Sequence, residues 1–409
     1  MSPRQHFPGM AEFAKSGVFL PQEEMLAVKK GKKELYIGIP KETSYQENRI
    51  ALVPEAVGLL VNNGHQIVIE TGAGNNSNYQ DNEFSEFGAQ IAYSPKEVYN
   101  ADIILKVAPP SEEELNYLRN NQTLVSILQI SMQKDSYIRK LVEKKLNAIA
   151  YEYIQDRSET FPVIQAMAEI VGGTSILVAA EYLSNVFHGK GELLGGVSGI
   201  PPTEVVILGA GTVGEYAARA AIGLGANVKV FDNSIYKLRR LQNNLGRKIH
   251  TSTIVPSILL RALRSADVVV GAILAKEGRT PQIVSEEMVS EMRFGSVIID
   301  VSIDQGGCFE TSEVTNHTNP VFRKYGVIHY CVPNIASRVS RTASMALSNI
   351  FTPVLLDIGE EGGIEEMLFA DQGVRHGVYL YKGNVTNKYI AERCKLPYKD
   401  LDLLMAAQI

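Results

Sequence analysis

Apolar positions along this chain fall into short continuous runs separated by longer stretches with helical spacing. The run Leu35-Tyr36-Ile37-Gly38-Ile39, stopped by Pro40, reads as a strand. Ala51–Val61 then carries apolar residues at helical spacing and closes on Asn63–Gly64, a helix stop. Gln66–Glu70, Ile103–Val107 and Thr123–Leu128 are further strand-like runs. Val163–Phe187 predicts a long helix weakened in its middle by Gly172–Gly173, followed by a loop of small residues over Gly189–Pro202. Strand–turn–helix repeats run from Glu204 to about Val332, and helical spacing returns over Ala343–Ile358 and Asn387–Lys395.

Strands alternating with helices argue for an α/β protein with parallel sheets and crossover helices. At 409 residues the chain exceeds the roughly 250–300 at which single cores stop growing, so two domains are expected. The order of elements suggests that a second complete domain is inserted into the first. The expected division is a first domain over 34–161 and 342–409, an inserted domain over 162–341, and an N-terminal extension over 1–33. There is no internal repeat and no low-complexity segment.

Composition narrows the function. Hydrophobic residues make up 45% and charged residues 21%, as in an ordinary globular enzyme. A net charge of −5 with interspersed signs gives no basic field for nucleic acid. Cys308, Cys331 and Cys394 are odd in number and far apart, which fits a reducing, cytoplasmic setting and no disulfide framework. No zinc-type spacing occurs, so no metal is expected. Residues 1–33 lack the apolar core of a signal peptide, and no uninterrupted apolar run is long enough for a membrane span.

The strongest local signal begins at Glu204. An apolar strand leads into Gly209-Ala210-Gly211-Thr212-Val213-Gly214, an alanine-rich helix follows, and a second strand, Val228–Phe231, ends in Asp232. A lone GxGxxG is weak, but this context is that of a Rossmann-type dinucleotide site. Gly209 would make the turn, Gly211 would admit the pyrophosphate, and Gly214 would let helix and strand pack. Thr212 and Val213 open the helix whose N–H groups favour the anion. Asp232 would accept the adenosine-ribose hydroxyls and repel a 2′-phosphate, which favours NAD over NADP. Lys237 is counted with the cofactor-binding residues, and with Arg239 and Arg240 it is the feature that speaks for NADP.

A dehydrogenase of amino or oxo acids also needs cations for the substrate and a group that moves a proton. Arg49 sits where a loop enters a helix, and its fork suits a carboxylate. Lys106 lies at the end of an apolar strand, where an unpaired lysine is costly. Asp304 follows the strand-like run ending at Asp300, on the side where such sheets place ligands. Asp300 itself, inside the run, reads as structural. Asn334, in His329-Tyr-Cys-Val-Pro-Asn334, falls where the nicotinamide side would be, and no histidine stands out as a base.

Several blocks together resemble the alanine dehydrogenase family, from about residue 35 to 400: Ile37-Gly-Ile-Pro-Lys-Glu, Glu47-Asn-Arg-Ile-Ala-Leu-Val-Pro, Glu70-Thr-Gly-Ala-Gly, Ile104-Leu-Lys-Val, Asp304-Gln-Gly-Gly-Cys-Phe-Glu and Tyr381-Lys-Gly-Asn-Val-Thr. The resemblance implies NAD-dependent deamination of L-alanine to pyruvate and ammonia by a homohexamer. It implies that Arg49 and Lys106 hold the substrate and that Asp304 takes part in proton transfer. One departure stands out. Gln129 occupies the slot where the family has a histidine facing the substrate oxygen, and an amide cannot exchange a proton near neutral pH. Ala168 replaces a serine expected near the cofactor. Ile103–Val107 and Thr123-Leu-Val-Ser126 also resemble the NAD-binding subunit of proton-translocating transhydrogenase, which likewise lacks the histidine. The cofactor loop here, however, keeps Arg157 but has Glu159 and Pro162. A non-catalytic NAD(H) sensor is the third reading.

Overall fold

The structure is a computed structural model describing residues 31–129, 133–274 and 279–407. The extension expected over 1–33 lies almost wholly outside these. Among the described residues two sheets form the molecule. The first contains β1 (Tyr36–Ile39), β2 (Gln66–Glu70), β3 (Gln90–Ala92), β4 (Ile103–Leu105), β5 (Thr123–Ser126), β6 (Asn147–Ala150), β14 (Val378–Tyr381) and β15 (Asn384–Val385), in the order β15-β14-β6-β5-β4-β1-β2-β3. The second contains β7 (Glu204–Leu208), β8 (Asn227–Phe231), β9 (His250–Ser252), β10 (Val268–Gly271), β11 (Val297–Asp300), β12 (Val321–Lys324) and β13 (Val327–Tyr330), in the order β12-β13-β11-β10-β7-β8-β9.

Pairing is parallel except at one edge of each sheet, where β14 runs antiparallel to β6 and β15, and β12 to β13. The reason for continuous apolar runs is visible in the packing. Val205 and Ile207 enter one core, while Val206 and Leu208 enter another on the opposite face. In the first sheet Ile67 and Ile69 part from Val68 in the same way. Strands buried on both faces need apolar residues at every position.

The labelled helices are α1 (Pro54–Asn62), α2 (Pro162–Leu183), α3 (Thr212–Gly223), α4 (Ile235–Leu245) and α5 (Ser340–Glu361). α2 packs Val163 into the first lobe and Ile176 into the second, and α5 begins just past the second lobe and buries Leu347 and Leu355 in the first. These two helices carry the chain between the lobes. α2 is long and apolar enough by length and composition to cross a membrane, although no unbroken apolar run revealed it. Its glycines do not weaken it. A Cβ on Gly172 would lie 2.5 Å from the Val213 carbonyl oxygen, so this glycine lets α2 approach α3. α2 stops at Leu183 because Ser184 turns to an extended ψ of 156°, and the apolar run beyond it forms a separate 3-10 turn, Asn185–Phe187.

Candidate functional site

Both sheets turn the carboxyl ends of their central strands toward one cleft, the place where open α/β sheets hold ligands. On the nucleotide side, Gly209 follows β7 with φ +110°, and a Cβ there would meet the Ala272 carbonyl oxygen at 2.3 Å. A Cβ on Gly214 would meet the Gly209 carbonyl oxygen at 2.0 Å, whereas one on Gly211 would meet nothing within 4 Å. Two glycines are therefore required by packing, and the third opens onto free space. The N–H groups of Thr212, Val213 and Gly214, in the first turn of α3, have no carbonyl one turn earlier in the helix to receive them. Free donors beside an open approach suit a pyrophosphate.

Asp232 ends β8 and is buried. Its Oδ2 accepts from the Ala210 N–H at 2.8 Å and its Oδ1 from the Ser234 N–H at 2.7 Å. Each oxygen keeps a further lone pair for a ribose hydroxyl. Lys237 is exposed on α4, and its backbone N–H is capped by Ser234. Val213, Ala272, Ile273, Leu274, Ser302 and Asp304 border a cavity of about 200 Å³ at the ends of β7, β10 and β11. A larger hollow of about 610 Å³, between α4 and β9, lies away from this cleft.

The opposite wall is built from charges. Arg49 is buried, and its Nε and Nη2 donate to Glu47 at 2.7 and 2.6 Å, while Nη1, among the described residues, meets only the Met167 sulfur at 3.4 Å. Burial pushes the Glu47 carboxyl up, but Arg49 and the Asn334 amide outweigh it and hold it below the ordinary range. Lys106, the residue after β4, is fully buried. Its Nζ lies 2.6 Å from Glu114 Oε1 and 3.5 Å from Glu42 Oε2. Burial alone would lower its pKa, yet the two carboxylates raise it above the usual lysine value. Glu42, which accepts the N–H groups of Val107 at 2.6 Å and Ala108 at 3.2 Å, is pushed by burial to about 7.

Asp304 stands across the cleft. It is open to solvent yet crowded by protein on its flanks, and this desolvation raises its carboxyl to about 6 against the opposing pull of the Asn334 N–H and Arg49. Asp300 is structural, as its place in the strand suggested: its carboxylate accepts from Ser302 N, Cys308 N and Ser312 Oγ at 3.0, 3.1 and 2.6 Å.

Gln129 is exposed beyond β5 with φ 45°, and its side-chain amide has no partner among the described residues. Behind it lies Glu152, whose Oε1 accepts the Leu128 N–H at 2.8 Å and whose carboxyl burial raises to about 7. Asn334 donates its side-chain Nδ2 to Glu47 Oε2 at 2.9 Å. Among the described residues no cluster of His, Cys, Asp or Glu could hold a metal ion, and all three cysteines are buried and free.

The sequence pattern pointed to the cations and not to the carboxylates that hold them, Glu42, Glu47 and Glu114, nor to the buried Glu152. The usable signal was position. Glu42 and Glu152 follow β1 and β6 as Lys106 follows β4, at the ligand-binding ends of their strands.

A glycine cradle with free amides, facing paired cations and a raised carboxyl across an interlobe cleft, defines a two-lobed, dinucleotide-dependent oxidoreductase. Residues 38–171 match the alanine dehydrogenase/PNT N-terminal domain and residues 175–388 its C-terminal domain. The chain is 37% identical over 367 residues to alanine dehydrogenase 2 of Staphylococcus aureus (strain USA300), covering 90% of this chain and 98% of that one. A solved L-alanine dehydrogenase superposes with a TM-score of 0.81 at 35% identity, over 87% of this chain and 98% of that one. A transhydrogenase from Sinorhizobium meliloti shares the fold with a TM-score of 0.74 at 24% identity, over 86% and 99% of the two chains. The chain belongs to the alanine dehydrogenase/PNT family.

Proposed function

We propose that this protein is an NAD-dependent amino-acid dehydrogenase that converts L-alanine and water to pyruvate and ammonium, reversibly. The observation that carries this reading is the meeting of the Gly209–Gly214 cradle with Arg49, Lys106 and Asp304 at one cleft. Gly211, the amides of Thr212, Val213 and Gly214, and Asp232 would hold NAD, which when bound would supply the acceptor for a hydride from the substrate Cα.

Arg49 receives the substrate carboxylate on its Nη1 edge, since Glu47 occupies the other edge. Lys106, kept cationic by Glu42 and Glu114, supports the developing charge at the oxo group. Asp304 accepts the proton lost from the substrate ammonium and returns it in the reverse direction. A carboxyl near 6 is ionised at neutral pH yet basic enough for this task. Gln129 can only donate or accept a hydrogen bond, so the proton work falls to Asp304 and to water.

Family membership supports a homo-oligomeric, hexameric assembly working in the cytoplasm. Exposed Leu177, Leu193, Val197 and Ile200 offer apolar surface for such contacts. The test is direct. Purified protein with NAD and L-alanine should raise NADH absorbance, and no turnover with alanine or any other small amino acid would remove the reading. Hydride exchange that requires a membrane-bound NADP-binding partner would favour the transhydrogenase alternative.

A further inference from the structure

The three residues before Arg49 are tied to the nucleotide lobe and to the segment that leaves it. His317 donates its backbone N–H to Gln46 Oε1 at 2.8 Å. Asn334 donates Nδ2 to Glu47 Oε2 at 2.9 Å. Ser337 Oγ accepts the Asn48 N–H at 2.8 Å and donates to the Gln46 carbonyl at 2.8 Å. Gln46 and Asn334 both hold left-handed backbone, with φ of 60° and 55°. Such conformations are uncommon outside glycine and persist where surrounding contacts fix them.

We propose that Asn334 is a positioning residue: its amide, reaching across from the nucleotide lobe, fixes Glu47 so that Glu47 aims the Arg49 fork at the substrate carboxylate. The inference rests on the reading that Arg49 grips a small acid.

The chain of contacts is short. Glu47 accepts four hydrogen bonds: Arg49 Nε at 2.7 Å, Arg49 Nη2 at 2.6 Å, the Arg49 N–H at 3.0 Å and the Asn334 amide at 2.9 Å. Three come from Arg49 itself, so the pair could swing together as a rigid unit. Asn334 is the fourth bond, and it comes from the other lobe. Asn334 also lies between β13 and α5, on the crossing between the lobes, so a change in lobe closure changes its distance to Glu47. Nucleotide seated at Gly211 and acid held by Arg49 are thereby linked through one side chain. Linkage of this kind is reciprocal: each ligand tightens the other by the same factor.

The experiment uses Asn334→Asp and Asn334→Gly in the full-length protein. Aspartate tolerates left-handed backbone and keeps the size of asparagine, but it sets a second carboxylate against Glu47. Asn334→Asp should raise the KM for L-alanine about tenfold or more, a larger change than in kcat or in the Kd for NADH. It should also abolish the tightening of pyruvate binding by NADH. Asn334→Gly keeps the left-handed backbone and removes the amide without adding a charge, so it should raise the KM in the same direction by a smaller factor. A general loss of folding would lower the melting temperature in both variants and would not fall selectively on the KM. An unchanged KM in Asn334→Asp, or a defect that falls on kcat or NADH binding and spares the KM, overturns the proposal. A wild-type protein that binds no small acid at all removes the functional reading and this inference with it.

Discussion

On the proposed function, the two walls of the cleft would recognise their ligands by opposite means. The nucleotide wall uses backbone and empty space: two glycines whose Cβ atoms would collide with carbonyl oxygens, one that opens onto nothing, and a row of amides. The substrate wall uses buried ions, each held by its opposite: Arg49 by Glu47, and Lys106 by Glu42 and Glu114. The first device is local in the chain and cheap to keep when no ligand is bound. The second gathers residues from β1, β4 and their following loops, and breaking one partner leaves a buried charge uncompensated. Damage to the two walls should therefore differ in kind. Substrate-wall variants should lose folding and turnover together, while nucleotide-wall variants at the open glycine should lose binding alone.

The sharpest way to break this contrast is Lys106→Ala. It leaves Glu42 and Glu114 facing each other in a fully buried pocket, and losing one partner of a buried pair costs about 3–5 kcal/mol. Denaturant titration should show that loss, and NADH production should fall below detection. A variant as stable as wild type would show that the pocket is wetter than the packing implies.

Asp304→Asn should act on rate and leave folding intact, because the carboxyl is open to the cleft. The expected fall in kcat is roughly 10²–10⁴-fold, the usual worth of a general base. The sign of its pH dependence is fixed by the raised value of about 6. Above it the carboxylate form accepts a proton, so amine oxidation rises through pH 6 and then levels, while reductive amination needs the protonated form and declines. A limb near 6 that survives in Asp304→Asn would assign it to Glu42 or Glu152, both near 7.

The glycine motif gives the complementary test. Gly211→Ala adds a Cβ into open space and should leave the melting temperature unchanged while weakening NADH binding about tenfold or more by fluorescence titration. Equal NADH affinity would show that the pyrophosphate lies elsewhere.

The same difference explains what could be read from the chain. The strands and the cradle were legible, because an apolar run, three glycines and Asp232 lie within the 29 positions from Glu204 to Asp232 and each residue's reason is local. The extents of strands were overread at their ends: Ile103–Val107 shortens to Ile103–Leu105, and Thr123–Leu128 to Thr123–Ser126. In both cases apolar residues continue into loops that are buried for other reasons. Lys106 stood out as a lysine in an apolar setting, but its partner Glu114 reads as one of three consecutive surface glutamates, and nothing local tells it from its neighbours. Asn334 was placed on the nicotinamide side by its position after the apolar run at 327–332. Its side-chain amide also meets Glu47, 287 residues earlier in the chain, a contact that only the tertiary arrangement creates.

Gln129→His should give the smallest effect and bears most closely on the chemistry. The backbone at this position is left-handed, which histidine accepts more readily than most residues. The loop is pinned from behind by Glu152, so the new ring starts from the same exposed place. If Asp304 already carries the proton, a histidine supplies a second group of similar pKa and adds little: kcat for L-alanine should rise by less than about tenfold, a fraction of what general acid–base help can give. A rise of a hundredfold would mean that Asp304 does not do this work and that the glutamine marks an impaired site. A fall would mean that the glutamine amide binds a group L-alanine lacks. Comparing Gln129→His with Asp304→Asn, and then with the two changes together, separates these cases, because groups sharing one proton are non-additive while independent ones multiply.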